Sequence, residues 1–453
     1  MTAFSSLSAQ GTGTSSPKMK LGDDVTAAVS KAPEKGCFFP ADCETLEETG
    51  LPEAYVESLL FKHLLAVGAN TGRGVAGELC LPGKPIVEML TTLKNRQLVV
   101  YKGQSSMSDF EYTLTEAGRT LANRYLEECS YSGAAPVPFD RYVQSVTAQS
   151  IQTEQPGPNE LRTAFEDLLI NDGMLQRLGP AVNSGRGLFL YGYPGNGKTS
   201  IAERITGSFG EDVWIPRAIF VDGETIQLFD PQSHVEVGGN KPSIIAGESF
   251  DRRWVKIKRP TIVVGGELQM SALELRYDPH TKITEAPLQM KSNCGTLVID
   301  DFGRQRMDPV ELLNRWIVPL EKRFDFLTLF NGKKIQVPFD QLIVFSTNLE
   351  PKELVDDAFL RRIPYKINVA NPSESEFRSL MKIMADKLGV AYCEPSVNHL
   401  IEKHYKAADR AFRCCHPRDL IQQILNYAKF QGTEAHMTTE AFDAACDNYF
   451  TLL

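Results

Sequence analysis

The stretch Leu188-Phe189-Leu190-Tyr191-Gly192-Tyr193-Pro194-Gly195-Asn196-Gly197-Lys198-Thr199-Ser200-Ile201-Ala202 decides the fold. From Gly192 to Thr199 it satisfies G-x-x-x-x-G-K-[ST] at every fixed position. The apolar residues before it read as a short buried strand, and Ser200 to Ile205 opens a helix. That strand–loop–helix context is what a phosphate loop requires. Glycines let the loop fold back so that backbone N–H groups converge on phosphate oxygens, and the helix N-terminus adds its positive end. Gly192, Pro194, Gly195, Asn196, Gly197, Lys198, Thr199 and Ser200 are therefore the expected nucleotide-binding residues. Lys198 would reach the β- and γ-phosphates of ATP, and the Thr199 hydroxyl would hold Mg²⁺.

Further along, Thr296-Leu297-Val298-Ile299 is an apolar run ending in Asp300-Asp301. An all-apolar strand suits the centre of a parallel sheet covered on both faces. At its edge Asp300 can hold the Mg²⁺ hydration shell and Asp301 can polarise the attacking water. Asp308-Pro309-Val310-Glu311 reads as a capping box with Pro at the first helical position, and Leu312, Leu313, Trp316 and Leu320 continue that helix. Phe326–Phe330 and Lys333–Val337 flank Asn331-Gly332, which predicts a hairpin with a two-residue type I′ turn. A strand over Leu342–Thr347 then brings Asn348 to its edge, beside the expected γ-phosphate position.

This order of motifs resembles the AAA+ ATPase superfamily over residues 158–453. The resemblance implies a parallel α/β P-loop core with helices on both faces and a C-terminal helical lid. Within it Asp300-Asp301 corresponds to Walker B and Asn348 to sensor 1. Arg361-Arg362 corresponds to the arginine finger, with Arg362 the better aligned of the two, and Arg418 in His416-Pro417-Arg418-Asp419 to sensor 2. Where many related ATPases have Asp-Glu, this chain has Asp300-Asp301, so the shorter Asp301 carboxylate stands at the position of the base. The hairpin before the sensor 1 strand resembles the pre-sensor-1 hairpin group, which includes MoxR-type ATPases and enhancer-binding activators. Over almost its full length the chain resembles a narrower bacterial group described as AAA+ ATPases with chaperone activity, associated with Flp pilus assembly. Val182-Asn183-Ser184-Gly185-Arg186, Ile299-Asp300-Asp301-Phe302-Gly303-Arg304-Gln305 and Phe359-Leu360-Arg361-Arg362-Ile363 carry that likeness. The resemblance implies ATP hydrolysis, a finger supplied in trans, and hence a homo-oligomeric ring, most often a hexamer in this superfamily.

Before the core, residues 1–48 are rich in Ser, Thr, Gly, Ala and Lys without periodicity and read as a disordered tail, in which Phe38-Phe39-Pro40 suggests a local docking segment. Residues 51–130 show three helical patterns, with Val56, Leu59, Leu60 and Leu64 in the first and Ile86, Met89, Leu90 and Leu93 in the third. Strand patterns at Leu98–Lys102 and Phe110–Leu114 follow, then a helix capped by Thr115. That order resembles the winged-helix fold. The segment holds eight Lys/Arg (62, 73, 84, 94, 96, 102, 119, 124) against nine Asp/Glu (53, 57, 78, 88, 109, 111, 116, 127, 128), so it gains little from counterion release on nucleic acid. Protein docking is favoured over DNA reading. Residues 131–157, with Pro136 and Pro138, read as a linker, residues 158–370 as the ATPase core, and residues 371–453 as the lid, opened by the Ser373/Glu376 capping box.

The formal net charge of −9 argues against a chain whose main work is coating nucleic acid. Nine cysteines form no C-x-x-C pair, so reduced cytosolic thiols are expected rather than a disulfide frame or zinc site. The N-terminus has no basic segment leading into an apolar run, and no stretch approaches the ~20 apolar residues that span a bilayer. A cytoplasmic location without membrane insertion is the expectation. The leading function is a remodelling ATPase acting on a protein client or complex. The alternative is a DNA-associated motor or loader using the winged helix and Lys333 and Lys334 beside the hairpin tip. A third reading is a nucleotide-operated switch with negligible turnover. Residues 212–290 offer Val235-Glu236-Val237-Gly238-Gly239 and Val263-Val264-Gly265-Gly266, read as turns, but none of the aromatic–apolar–Gly tripeptides of threading unfoldases. MoxR-like remodelling without full threading fits better.

Overall fold

Five short strands, β1 (Leu188–Tyr191), β2 (Thr261–Val264), β3 (Thr296–Ile299), β4 (Leu342–Thr347) and β5 (Tyr365–Asn368), form one parallel sheet in the order β2-β3-β4-β1-β5. The computed structural model describes residues 38–104, 109–210, 212–238, 249–354 and 357–450. Successive side chains of a strand point to opposite faces, and the apolar run of each central strand feeds two cores. Phe189, Leu297, Ile299, Ile343 and Phe345 pack against helix α2 (Pro309–Lys322) through Leu312, Leu313, Trp316 and Leu320. Leu188, Leu190, Val298, Leu342 and Val344 pack on the other face with helix α1 (Lys198–Ile205) and the helices Pro158–Ala164 and Asp172–Asn183. The sheet is thus covered on both sides, and the C-terminal ends of β1, β3 and β4 open side by side.

The lid has its own core, formed by α3 (Glu374–Lys387), α4 (Glu394–Leu400), α5 (His416–Gln431) and α6 (Thr439–Phe450). Ser373 and Glu376 make the reciprocal capping box that starts α3. At α2 only half of the expected box forms: the Asp308 side chain accepts from the Val310 N–H, with Pro309 at the first helical position.

Upstream, helices Glu53–Val67, Gly72–Leu79 and Gly83–Asn95 lead into antiparallel strands Val99–Gln104 and Phe110–Leu114. Ala69–Thr71 adds a third strand beside Phe110–Leu114. Thr115 caps the next helix, Glu116–Glu128, by accepting from the Gly118 N–H. Residues 105–108, between strands Val99–Gln104 and Phe110–Leu114, lie outside the described residues.

Several expectations are corrected. Residues 131–157 are not a bare linker: Val137–Pro138 pairs with Ala218–Val221, and a helix spans Phe139–Ala148 because Tyr142 and Val146, four apart, bury on one side. Val263 and Val264 do not form a turn but end β2, the edge strand, and only Gly265-Gly266 leaves the sheet. Gly239 lies outside the described residues. The hairpin pairs Phe324–Thr328 with Lys334–Pro338, and its tip is not a two-residue I′ turn. Gly332 N–H donates to Leu329 O and Leu329 N–H to Lys333 O, while Gly332 alone takes a positive φ of 82°. That is a type I turn followed by a left-handed glycine. Glu224 explains the choice, since its carboxylate accepts from the N–H groups of Phe330 and Asn331 (3.3 and 3.0 Å).

The expected tail, residues 1–48, falls for residues 1–37 outside the described residues. From Phe38 the described segment packs on the rest of the chain. Phe38 and Phe39 lie against Trp254 and Trp214 (ring centroids 5.1 and 6.1 Å), and Thr45 caps a short helix, Leu46–Thr49. A buried ion pair fixes this segment. Arg253 and Asp251, with side chains 1% and 4% exposed, meet at 2.7 Å. Arg253 also donates to Thr49 O (2.9 Å) and Pro136 O (3.3 Å), joining three segments distant in sequence. Asp251→Ala strands that guanidinium, and removing one partner of a buried pair costs about 3–5 kcal/mol. Urea denaturation followed by intrinsic tryptophan fluorescence, with Trp254 and Trp316 both buried, checks this; an unchanged midpoint contradicts it.

Candidate active site

The loop after β1 turns on glycines where no other residue fits. Gly192 has φ 133°, and a Cβ there would come 2.7 Å from Val369 O. Gly195 has φ 82°, and a Cβ there would meet Cys415 Sγ of the lid at 2.5 Å. Gly197, also left-handed at 82°, hands the chain to α1. Its first residue, Lys198, is 7% exposed and folds back into the loop mouth. The ammonium donates to Gly192 O (2.9 Å), Tyr193 O (3.0 Å) and Asn348 Oδ1 (2.7 Å). Burial pulls Lys198 below the usual lysine range, opposed by the Asp300 and Asp301 carboxylates, while the Arg413 charge lowers it further.

The ends of β3 and β4 complete the constellation. Thr199 Oγ1 donates to Asp300 Oδ2 at 2.9 Å. Asn348 Nδ2 donates to Asp301 Oδ1 at 3.1 Å while its amide oxygen accepts from the Lys198 ammonium. The amide orientation follows from chemistry, because an ammonium can only donate and a carboxylate can only accept. Asp301 sits at φ +48°, a left-handed conformation that a non-glycine adopts at a cost, and such strain concentrates at functional sites. Gln305 holds the turn open: its Nε2 donates to the carbonyls of Asp300 and Asp301 (2.9 and 3.1 Å) and its Oε1 accepts from Gly303 N–H (2.8 Å). The structure therefore brings Lys198, Thr199, Asp300, Asp301 and Asn348 together.

The lid closes over the same loop. Cys415 N–H donates to Gly195 O at 2.9 Å. Asn196, 4% exposed, donates through Nδ2 to Asn371 Oδ1 (2.9 Å) and accepts at Oδ1 from Cys414 N–H (3.4 Å). Arg413 bonds Asn371 Oδ1 and places its guanidinium 4.2 Å from the centre of the Tyr193 ring. Arg418 is placed differently. Its side chain is 66% exposed in the first turn of α5 and pairs with Asp419 at 2.8 Å. Asn196 was expected among the nucleotide-binding residues, whereas Arg413, the lid arginine in contact with the loop, and Gln305 were not singled out by role from sequence. Gln305 lies inside a quoted motif, whereas nothing local marks Arg413.

Arg361 and Arg362 are not brought to this loop. They line a separate cleft of 390 Å³ with Arg186, Leu320 and Glu321, in which no residue of 192–199 takes part. Arg362 Nε pairs with Glu321 Oε1 at 2.8 Å. Among the described residues that line it are three arginines and one glutamate.

Residues 373–448, the lid, match a family model described as "Domain of unknown function (DUF8689)". A search of curated proteins found no match. Among solved structures, a Thermotoga maritima RuvB mutant is similar at 11% identity, covering 63% of this chain and 72% of that one with a TM-score of 0.37. NtrX from Brucella abortus is similar at 15% identity, over 74% and 62%, with a TM-score of 0.37. Domain III of the Thermotoga maritima replication initiation protein DnaA is similar at 14% identity, over 65% and 98%, with a TM-score of 0.35. The parallel sheet with a phosphate loop at the end of β1, helices on both faces and a helical lid over the loop is an α/β P-loop arrangement. Among the described residues no helix is long and apolar enough to cross a membrane.

Proposed function

We propose that the chain is a Mg²⁺-dependent ATPase that works as a homo-oligomeric ring, hexameric as is usual for its fold class, and remodels a protein client or complex. One observation carries the reading: Asn348 holds Lys198 with its oxygen and Asp301 with its nitrogen. The group that grips the terminal phosphate and the carboxylate that orients water are thus coupled through one side chain. The donor set fits Mg²⁺, since Thr199 Oγ1 and Asp300 Oδ2 are hard oxygen ligands already paired at 2.9 Å. Held by those two residues, the ion would supply neutralisation of phosphate charge.

The remaining work belongs to the chain. Backbone N–H groups of the loop and the start of α1 bind phosphate oxygens. Lys198 exchanges the carbonyls of Gly192 and Tyr193 for the β- and γ-phosphates. Asp301, held in a fixed direction by Asn348 and by the Gln305-braced turn, orients the attacking water and draws its proton. Arg362, with Arg361 beside it, supplies cationic stabilisation to the site of a neighbouring subunit. Arg413 reports nucleotide to the lid, because it touches both the loop at Tyr193 and the lid entry at Asn371. Arg413→Ala is expected to weaken ATP binding by about tenfold, the size of one charge-assisted bond, whereas Arg418→Ala stays near wild type. Equilibrium binding of a fluorescent ATP analogue decides between them; the reverse order contradicts the role given to Arg413.

The winged-helix-like segment, residues 51–130, is read as the partner-choosing module. Its cations support protein docking over DNA: Lys62 is buried on Cys129 O, Arg96 pairs with Glu57 at 2.8 Å, and Lys94 lies 4.0 Å from the Tyr101 ring centre. The hairpin tip is likewise engaged. Phe330 stacks on Tyr277 (3.9 Å) and Lys333 pairs with Asp222 (3.1 Å). The family resemblance supports a client in pilus or secretion-related assembly, and the reduced thiols support a cytoplasmic machine.

A further inference from the structure

In the lid, far in sequence from the phosphate loop, two imidazoles and a carboxylate converge. His399 Nε2 and His404 Nε2 lie 2.9 and 2.5 Å from the same atom, Asp443 Oδ1. Residues five apart on an α-helix point about 140° apart, which would send one imidazole away from the other. The chain avoids this by changing helix type. After α4 the segment Ile401–Lys406 is a π-helix, with Ala407 N–H donating to Glu402 O and Arg410 N–H to Tyr405 O, both five residues back. π turns are rare and appear frequently at functional sites. This one puts His399 and His404 on one side, opposite Asp443 of α6.

We propose that His399, His404 and Asp443 form a binding site for a borderline transition-metal ion, Zn²⁺ by preference. Two imidazole nitrogens and one carboxylate oxygen suit Zn²⁺, Ni²⁺ or Cu²⁺ and disfavour Mg²⁺ and Ca²⁺. Their ligand atoms lie within 4.8 Å of one another. A tetrahedral ion with ~2.1 Å bonds needs ligands about 3.4 Å apart, so Asp443 Oδ1, now 2.9 and 2.5 Å from the two imidazole nitrogens, would draw back from both. The second oxygen, Oδ2, is held by Lys403 Nζ at 2.8 Å. That bond leaves Oδ1 as the single carboxylate ligand and fixes its direction, as outer partners do in metal sites. His399, His404 and Asp443 are 32, 13 and 29% exposed, so an ion can enter from solvent and the fourth position goes to water. The bound ion ties the π segment to α6 and stiffens the lid. This site is independent of the ATPase reading, and either can fail alone.

The test uses the full chain, freed of metal with a chelator and kept reduced and nucleotide-free. Titration with Co²⁺ is expected to saturate at one ion per chain, with the strong visible d–d bands of tetrahedral Co²⁺ and no thiolate charge-transfer band, and Zn²⁺ displaces it. Zn²⁺ raises the melting temperature of the wild type and a chelator reverses the shift. His399→Gln and Asp443→Asn each weaken binding by about 100-fold or more and abolish the shift. His399, the most exposed of the three, serves as the variant least able to disturb folding, and its circular dichroism is compared with wild type. Absence of saturable binding at micromolar metal, unchanged affinity in folded His399→Gln, or a thiolate band at stoichiometric metal each overturns the proposal.

Discussion

Arg362→Ala is expected to bind ATP as the wild type does and to lose about 10³-fold or more of its turnover, the range seen when an arginine finger is removed. The expectation rests on where the residue lies. Its cleft is lined by Arg186, Leu320, Glu321 and Arg361 and by no residue of the phosphate loop. A guanidinium there acts on a γ-phosphate only if a neighbouring subunit presents one. Glu321 holds Arg362 at 2.8 Å with both side chains partly exposed, 27 and 46%, and such pairs are worth at most about 1 kcal/mol. Steady-state phosphate release at an assembling concentration, beside equilibrium nucleotide binding, separates the two effects. Full turnover in Arg362→Ala removes the finger, and equal losses in affinity and turnover make the residue structural.

The second large effect is at Asp301. Asp301→Asn is expected to keep ATP affinity and the fold while hydrolysis falls by about 10²–10⁴-fold, the range for losing a group that moves the proton. Asparagine is chosen because it tolerates the left-handed φ of +48° that Asp301 adopts, where alanine would add strain. Its amide oxygen can still accept from Asn348 Nδ2 as Asp301 Oδ1 does now. What is lost is the carboxylate basicity. The arrested protein should stay ATP-loaded and retain a client that the wild type releases, so copurification with ATP present identifies the client. Wild-type turnover in Asp301→Asn would move the base elsewhere in the site.

The parts of the site that were legible in sequence are those whose geometry is local. A loop of fixed spacing between a strand and a helix can place Gly195, Lys198 and Thr199 in few ways, and an apolar run ending in Asp300-Asp301 can sit only at a buried strand's edge. Asn348 followed from the same logic one strand over. Arg413 was not legible, because its place over Tyr193 comes from docking the lid through Cys415 on Gly195, a contact between segments far apart in sequence. Arg418 has the better sequence context, at the start of a helix, yet that turn faces Asp419 and solvent. Short elements failed for a related reason. Thr261–Val264 is four residues long and ends in Gly265-Gly266, so turn chemistry dominates its pattern although Thr296–Ile299 pairs with it residue for residue. The helix Phe139–Ala148 hides behind Pro136 and Pro138, which read as linker punctuation but serve as the entry to a strand and a helix cap. The hairpin was legible as a hairpin, while its tip geometry depends on Glu224, over a hundred residues earlier.

The central claim is that ATP is hydrolysed in a site that two subunits share. The specific ATPase rate as a function of protein concentration tests it most directly. The account predicts a rate that is low in dilute solution, rises steeply through the concentration at which light scattering reports assembly, and then levels off. A specific rate independent of concentration across that range would contradict it.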